Sequence, residues 1–379
     1  MSVKKDNCSW RVTFFFCIFE PVMNGVPVER HPLEPFVPYG ARILMLGSFP
    51  PPHEKWSMEF FYPNFINDMW RIFGLLAYGD RDRFVDGKKF DRDMVVEFCS
   101  DQGIAIYDAA SAVRRLKANA SDAFLEVVER TDIAALLGKM PRCRDIVSTG
   151  GKSAEAIAEA LGCAVPAVGE CVQCGEGRRF WRMPSSSRAY PLPLQKKAEA
   201  YSRLFNSFLH IRDSRPEDIP VMQELFDAAR GIMRSTGNMH QWEGGYPSDA
   251  QLLSDISRGV SHMVEERMPD GTMKAVGTFA FIPGEDPTYK VIYDGAWIAP
   301  DLPYGTIHRL ASTPQSHGVA AACFRWCRRQ TQDLRIDTHR DNSVMRHVIE
   351  SAGFTYCGII HLLNGDERLA YQIGLSNQY

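Results

Sequence analysis

Two different patterns of apolar residues follow one another along the chain, and the change between them predicts two domains. Over residues 42–161, short apolar runs alternate with amphipathic stretches, which is typical of a parallel α/β sheet flanked by helices. After about residue 211, strand-like runs dominate and favour an α+β domain with a mainly antiparallel sheet. We predict an N-terminal extension over 1–24, a three-layer α/β domain over 25–207 and the α+β domain over 208–379, since a chain of 379 residues exceeds a typical domain of about 150 residues.

Both domains have individual elements that can be predicted. In the first, buried strands are expected over 42–47, 103–107 and 145–147, and helices over 67–76, 94–100, 123–129 and 153–161. In the second, strands are expected over 275–282, 290–298, 305–312, 334–338 and 355–362, and helices over 219–233, 319–330 and 343–352. Ligands of parallel sheets bind beyond the carboxyl ends of the strands, so the loops after Leu46, Tyr107 and Val147 are the first candidates for a site.

The charge of the whole chain, a net −3 with a pI near 6.4, gives no sign of a nucleic-acid binder. Residues 178–203 nevertheless carry seven cations and one anion, Glu199; the cations are Arg178, Arg179, Arg182, Arg188, Lys196, Lys197 and Arg203. Such a basic strip fits a surface that contacts phosphates. On charge alone, an ordinary solvated loop and helix face is the favoured explanation.

The ten cysteines are scattered, and the pair Cys171 and Cys174 has no second pair at the spacing of a zinc site. We therefore expect no metal, reduced thiols and a cytoplasmic protein. No apolar run is long enough to cross a membrane.

The loop after the first predicted strand is the most informative segment of the first domain. Gly47 lets a ligand approach the backbone closely, and a proline run follows it. The aromatic pair Phe61–Tyr62 suits stacking on a planar base, and asparagines 64 and 67 can hold water or a base edge. A second loop, 182–189, combines a proline, three serines and flanking arginines, which suits contact with a DNA backbone.

Four motifs, in this order, resemble the uracil-DNA glycosylase superfamily, most closely its hypoxanthine (deoxyinosine) branch. They are the Gly47-Ser-Phe-Pro loop, the segment from Phe61 to Trp70, the Gly103-Ile-Ala-Ile-Tyr-Asp108 strand and the Met183-Pro-Ser-Ser-Ser187 loop. The resemblance covers about residues 25–205 and implies cleavage of the N-glycosidic bond of a deaminated base, hypoxanthine or uracil, flipped out of DNA. It implies neither a metal nor a cofactor.

The resemblance also implies roles for individual residues. Asn67, or its neighbour Asn64, would position water or the base, because the Asp or Asn that often follows the glycine in this superfamily is Ser48 here. The implied substrate-binding residues are Gly47, Ser48, Phe61, Tyr62, Thr149, Gly150, Pro184, Ser185, Ser186, Ser187 and Arg188. Asn67 could instead, or in addition, cap the following helix, Phe61 and Tyr62 are also natural core residues, and the serines also fit an ordinary turn.

In the second domain, a strand is followed by Gln315-Ser-His-Gly318-Val-Ala320 and then by a helix. Backbone N–H groups at such a helix start can cradle a pyrophosphate. With the strand over 334–338, the Gly353-Phe354 turn and the loop 237–247, this arrangement resembles the GNAT acetyltransferase family over roughly 211–375.

That resemblance implies acetyl-CoA as cofactor and an amine of unknown identity as acceptor. The implied cofactor-binding residues are Leu310, Ala311, Gln315, Ser316, His317, Gly318, Val319, Ala320 and Asn342. Many family members carry a tyrosine acid four residues before the glycine of the Gly-Phe turn, where this chain has Ile349. Tyr356 is the implied substitute and His308 a second one, although both also fit an ordinary sheet. His240, Trp242 and Tyr246 would shape the acceptor pocket.

Together the two resemblances predict a bifunctional fusion that binds DNA with deaminated bases and transfers acetyl groups. Two alternatives stay open. In one, the first domain is a non-catalytic nucleic-acid-binding module attached to an active transferase. In the other, the whole chain is a transferase whose first half binds a partner other than DNA.

Overall fold

The computed structural model describes residues 26–117, 124–205, 208–268 and 270–374. The predicted extension over 1–24 lies outside these residues. Within them, no helix combines the length and the apolar character needed to cross a membrane.

The N-terminal half is built on a parallel sheet, as the alternating pattern predicts. Its strands are β1 (Val28–Arg30), β2 (Ile43–Gly47), β3 (Val85–Asp86), β4 (Lys89–Phe90), β5 (Ile104–Asp108), β6 (Ala110–Arg115), β7 (Leu125–Arg130), β8 (Asp145–Ser148), β9 (Glu170–Cys174) and β10 (Arg178–Arg182). Its helices are α1 (Met69–Tyr78), α2 (Arg92–Gln102), α3 (Ile133–Gly138), α4 (Gly151–Leu161) and α5 (Leu194–Ser202).

The main sheet of this half has the order β5-β2-β8-β10-β9, and all pairs are parallel except that of the edge strand β9. β2, β5 and β8 are buried along their whole lengths, which explains their continuous apolar runs. The carboxyl ends of β2, β5, β8 and β10 therefore meet at one edge of the sheet.

The helix predicted over 123–129 is wrong in its described part, because these residues belong to β7. β7 pairs antiparallel with β6, which also pairs with β1, in a separate three-stranded sheet. Val127 and Val128 are β-branched, and the cross-strand ion pair between Arg114 and Glu126 (3.5 Å) supports the pairing.

The C-terminal half contains a mainly antiparallel sheet. Its strands are β11 (Leu209–Asp213), β12 (Ser261–Arg267), β13 (Met273–Pro283), β14 (Tyr304–Ser312), β15 (Asp333–Thr338), β16 (Thr355–His361) and β17 (Glu367–Ile373). Its helices are α6 (Ile219–Ser235), α7 (Asp249–Ser257), α8 (Val319–Gln330) and α9 (Ser343–Ser351). The strand order is β11-β12-β13-β14-β15-β17-β16.

β14 and β15 form the parallel pair of this sheet, and they separate part of the way along. Their register runs from Tyr304 opposite Asp333 to Ile307 opposite Ile336. β14 then continues to Ser312 along β13, while β15 continues to Thr338 along β17. A gap therefore opens between the two strands in the middle of the sheet.

The strand predicted over 290–298 is wrong. This segment follows a short 3₁₀ helix, Pro287–Tyr289, and meets the sheet through one bridge between Tyr293 and Ile359. Its apolar residues serve local packing instead, since the Trp297 ring stacks on Tyr289 with centroids 5.6 Å apart.

The two halves contact each other through α2 and α8. Arg329 on α8 donates two hydrogen bonds to the Asp101 carboxylate, at 2.9 and 3.0 Å. The Gln102 amide donates to the Leu209 carbonyl at 2.9 Å.

Candidate active sites

The first candidate site lies where three neighbouring parallel strands end. Gly47 ends β2, Asp108 ends β5, and Thr149 follows β8 directly. A Cβ atom at Gly47 would overlap the Asp108 Oδ1 atom and would lie 3.8 Å from the Tyr62 hydroxyl. The Tyr62 hydroxyl is 3.0 Å from Thr149 Oγ1. The absence of a side chain at residue 47 is thus what allows these polar groups to come together.

A buried histidine holds the Asp108 carboxylate. His31 Nε2 is 3.0 Å from Asp108 Oδ2, and the two side chains are 2% and 10% exposed. Because a carboxylate only accepts hydrogen bonds, Nε2 carries the proton and donates it. Sequence reasoning missed both residues as site candidates, although Asp108 ends one of the motifs that carry the resemblance.

The two predicted stacking rings occupy different environments. Phe61 is 4% exposed and packs edge-on against Phe60 and Tyr107 inside the core. Tyr62 adopts a positive φ of 49°, which is uncommon for a residue with a side chain. Burial, and secondarily the Asp108 charge, raise the pKa of Tyr62, so its hydroxyl stays protonated. Of the two rings, Tyr62 belongs to the polar cluster.

Both candidate asparagines lie in the turn before α1. Asn67 Oδ1 accepts a hydrogen bond from the Met69 N–H at 2.9 Å, and Asn64 Oδ1 accepts one from the Ile66 N–H at 3.1 Å. The Arg71 guanidinium donates to the Asn67 carbonyl at 3.3 Å. The N-cap of α1 is Asp68 and not Asn67, so Asn67 Oδ1 closes an Asx turn just before the helix. Any role toward a substrate falls to its Nδ2 group.

The serine loop packs against this turn. The N–H of Asp68 donates to the Ser186 carbonyl at 2.9 Å. The Arg188 Nε donates to Asp68 Oδ1 at 3.3 Å, and the buried Lys197 ammonium donates to Asp68 Oδ2 at 2.9 Å. At its other end the loop continues the sheet, since the Met183 N–H donates to the Ser148 carbonyl at 2.9 Å.

The fold therefore brings the predicted pieces of this site together: the glycine turn, the aromatic segment, the asparagine turn and the serine loop, with Thr149 and Gly150 at the start of α4.

Much of the basic strip is engaged in internal pairs. Five of its seven cations form ion pairs, namely Arg179, Arg188, Lys196, Lys197 and Arg203. Arg182 donates to the Pro166 carbonyl at 3.4 Å. These contacts favour a structural role for the strip, and Arg188 is the member that lies beside the candidate site.

The close approach at Gly47 leads to a stability prediction. Gly47→Ala forces either Asp108 or the turn to move, so we expect the free energy of unfolding to fall by about 1–3 kcal/mol. Urea denaturation measures this loss. The matched control is Gly138→Ala at the end of α3, where an added Cβ meets nothing within 4 Å; a similar loss in both variants would contradict the close approach.

The second candidate site is a cavity of about 870 Å³ located where β14 and β15 separate. β14 contributes His308, Leu310 and Ala311 to its wall, and Asn342 lies at the start of α9. The loop residues predicted to shape an acceptor pocket, His240, Trp242 and Tyr246, also line it.

An imidazole and two carboxylates meet on the wall of this cavity. His308 Nε2 is 2.9 Å from Asp286 Oδ2, and His308 Nδ1 is 4.0 Å from Asp337 Oδ1. The Tyr289 hydroxyl donates to Asp337 Oδ1 at 2.6 Å. Since Nε2 donates to a carboxylate, Nδ1 is the nitrogen that can take up a proton. Sequence reasoning named His308 but missed Asp286, Asp337 and Tyr289.

β14 is irregular beside this group. Its register with β13 shifts between Thr278 and Ala280, and Arg309 adopts a positive φ of 52°. The Arg309 guanidinium is held by the Tyr246 hydroxyl at 3.0 Å and by Asp255 at 2.8 Å. Such a bulge redirects backbone and side chains locally, here at the point where the cavity begins.

The predicted cofactor loop precedes α8. Gly318 has a positive φ of 84° at the N-cap of that helix, and the Thr313 hydroxyl donates to Ser316 Oγ at 2.8 Å. Val319 is buried in the core, where it would contact any Cβ added at Gly277. The loop also contains Gln315 and His317 and connects the end of β14 to this 12-residue helix, in which Ala320 is the second residue.

Two predicted residues make contacts other than the predicted ones. Asn342 Oδ1 caps α9 through the Met345 N–H at 3.0 Å, and its amide donates to Gln241 Oε1 at 2.9 Å. Tyr356 lies on β16, with its ring 5.7 Å from that of Tyr371, and it is not among the residues that line the cavity. The catalytic role of Tyr356 stays a prediction.

The Asp286 carboxylate predicts a dependence of stability on pH. Burial alone would raise its pKa, but the hydrogen bond and charge of His308 and two hydrogen bonds from Thr288 outweigh burial and lower the pKa below 3.8. An acid whose pKa is lower in the folded state adds stability above its unfolded pKa and loses it as the pH falls. We therefore expect urea denaturation between pH 6 and about pH 2 to show a steeper loss for the wild type than for Asp286→Asn. If stability falls equally with pH in the wild type and in Asp286→Asn, the lowered pKa of Asp286 is contradicted.

Comparisons with known proteins bear on both halves of the chain. No family model matches it, and neither does any curated protein. Among solved structures, a GNAT-family acetyltransferase from Streptococcus agalactiae is 32% identical to it, with 43% of this chain and 94% of that chain covered and a TM-score of 0.38. A "putative acetyltransferase" from Salmonella typhimurium, solved with its cofactor acetyl-CoA, is 14% identical, with coverages of 44% and 94% and a TM-score of 0.30. A "putative uracil DNA glycosylase" from Methanosarcina acetivorans is 21% identical, with coverages of 47% and 99% and a TM-score of 0.34.

Proposed function

Because it is 32% identical to the Streptococcus agalactiae acetyltransferase and covers 94% of that protein, this chain belongs over the matching part to the GNAT acetyltransferase family, and we propose that it is a bifunctional enzyme. Its C-terminal domain, 208–379, transfers an acetyl group from acetyl-CoA to an amine. Its N-terminal domain, 25–207, releases hypoxanthine or uracil from DNA. The observation that carries the proposal is that each half gathers buried polar groups where its strands end or separate.

The residues of the C-terminal domain fit acetyl-CoA. Beyond Ile307 the backbone of β14 has no partner strand on its β15 side among the described residues, so its amides are available to a ligand lying in the gap. Gly318 permits the turn that presents the N–H groups of α8 to a pyrophosphate. Acetyl-CoA supplies the activated acetyl group when bound.

The proton of the attacking amine has a defined acceptor. Asp286 fixes the ring of His308 with Nε2 protonated, so Nδ1 removes the proton from the amine as the new amide bond forms and the thioester C–S bond breaks. The imidazolium then returns this proton to the departing thiolate sulfur. Asp337, 4.0 Å from Nδ1, stabilises the resulting imidazolium.

Purified protein is incubated with acetyl-CoA and a panel of small amines and peptides, and thiol release is measured. An absence of acetyl-CoA binding contradicts this half of the proposal.

The N-terminal site matches the needs of base excision. Water attacks the sugar C1′ atom, the C1′–N bond breaks, and the base leaves with the bonding electrons and takes up the proton that the water gives up. Asp108, held by His31, accepts the ring N–H of the base, and the Asn67 amide donates to the water or to a base oxygen. Hypoxanthine and uracil both carry an N–H beside a carbonyl, so a carboxylate serves either base.

The test uses duplex oligonucleotides that each carry one deaminated base, hypoxanthine or uracil. Alkaline cleavage after incubation with the intact protein detects the abasic site. Strand cleavage at the modified position supports excision. Salt-dependent DNA binding without base release favours the non-catalytic module instead, and an absence of both favours a first half that binds another partner.

A further inference from the structure

Lys197 on α5 is a fully buried cation that contacts two segments of the proposed base-excision site, the asparagine turn and the serine loop. Its side chain is 0% exposed. The ammonium donates to Asp68 Oδ2 at 2.9 Å and to the Ser187 carbonyl at 2.7 Å. Asp68 is the neighbour of Asn67, and Ser187 belongs to the serine loop. One ammonium group therefore joins the asparagine turn to the serine loop.

The surrounding contacts make this junction a small network. Asp68 Oδ1 accepts from the Arg188 Nε at 3.3 Å, and the Asp68 N–H donates to the Ser186 carbonyl at 2.9 Å. One helical turn after Lys197, the Tyr201 hydroxyl donates to the Pro184 carbonyl at 3.2 Å. Residues four apart share a helix face, so one face of α5 holds the serine loop at two carbonyl groups.

Burial of a charge pair is a weak source of stability, because desolvation offsets much of the attraction. An apolar pair of similar size would often hold two segments together equally well. What the ion pair adds is geometry: an ammonium and a carboxylate fix the distance and direction between the segments that carry them. In this site the ion pair fixes how the asparagine turn lies against the serine loop.

We infer that Lys197 is a positioning residue for base excision, which sets the spacing between the Asn67 turn and the serine loop through Asp68 and the Ser187 carbonyl. This inference rests on the proposed glycosylase activity. Lys197 itself does not touch the base or the water. Its loss lets the two segments shift, and a shift of about 1 Å between reacting groups costs about 10²-fold in rate.

The experiment compares full-length Lys197→Met with the wild type on a deoxyinosine- or deoxyuridine-containing duplex under single-turnover conditions. We expect the rate of base release to fall about 10²-fold. The control is Lys196→Ala, which removes the exposed neighbouring cation paired with Glu199 at 2.7 Å and leaves the rate unchanged. The double variant Asp68→Asn/Lys197→Met removes both charges, so it regains thermal stability without regaining the rate.

Hydrogen exchange provides a readout that does not depend on catalysis. In Lys197→Met the backbone amides of 64–70 and 183–190 should exchange about tenfold faster, while those of the central strands keep their protection. A wild-type rate in Lys197→Met, full recovery of the rate in the double variant, or unchanged exchange in both segments overturns the inference. If the wild type releases no base, the proposed function fails, and the exchange data alone then decide whether Lys197 fixes the two segments.

Discussion

Replacing Asn67 with alanine is expected to lower the rate of base release about 10²–10³-fold, the usual effect of removing one preorganised donor from an active site. The expectation follows from the Asn67 side chain, whose Oδ1 is engaged by the Met69 N–H and whose amide group therefore carries any contact with the substrate. Single-turnover cleavage of a deoxyinosine-containing duplex measures the rate. Binding to undamaged DNA should change less than about threefold, since phosphate contacts dominate affinity.

A second substitution separates catalysis from the Asx turn before α1. An aspartate oxygen accepts the hydrogen bond of the Met69 N–H as the Asn67 oxygen does, whereas alanine loses it. Asn67→Asp therefore keeps the stability of the protein but lacks the amide donor, and it should be as inactive as Asn67→Ala. Asn64→Ala removes a comparable turn contact and tests the alternative donor, so a loss confined to Asn67 variants distinguishes the two residues. If Asn67→Asp retains full activity, Asn67 serves the turn alone and the excision mechanism needs another donor.

The buried strands of the N-terminal half could be predicted because both of their faces are covered. β2, β5 and β8 read as continuous apolar runs of four or five residues, a length that favours a buried strand over a helix. The helix prediction fails at β7 because residues 126–130 are exposed and combine charged with β-branched side chains. A short window of this kind fits a helix as well as a strand, and only the partner strand decides.

The parts of the two sites predicted from sequence are those with local signatures. Gly47, Asn67 and Gly318 each lie where a strand or a helix changes into a loop, and sequence alone marks such positions. The partners of these residues come from distant segments. His31 reaches Asp108 across 77 residues, and Asp286 reaches His308 across 22, so no periodicity or spacing relates them. Their assembly depends on the order of the strands in each sheet, which local sequence patterns do not specify.

Replacing His308 with glutamine is expected to lower the acetyl-transfer rate about 10²–10⁴-fold, the range for loss of a general base. Glutamine can still donate to Asp286 and retains the shape of the site, but it cannot take up the proton of the amine. The acetyl-CoA dissociation constant should stay within about threefold, because the proposed cofactor contacts are backbone groups of β14 and α8. Isothermal titration and a thiol-release assay measure the two quantities.

Two further variants decide which residue moves the proton. His347→Gln, on the exposed face of α9, controls for histidine loss in general and should retain the wild-type rate. Tyr356→Phe tests the residue predicted from the sequence to substitute for the tyrosine acid that this chain lacks at Ile349. Its position on β16, outside the lining of the cavity, leads us to expect a change of less than about threefold, because a proton is transferred only within hydrogen-bond reach. A large loss in Tyr356→Phe together with full activity in His308→Gln would reverse the assignment, since the strands would then have to bring Tyr356 into the gap between β14 and β15.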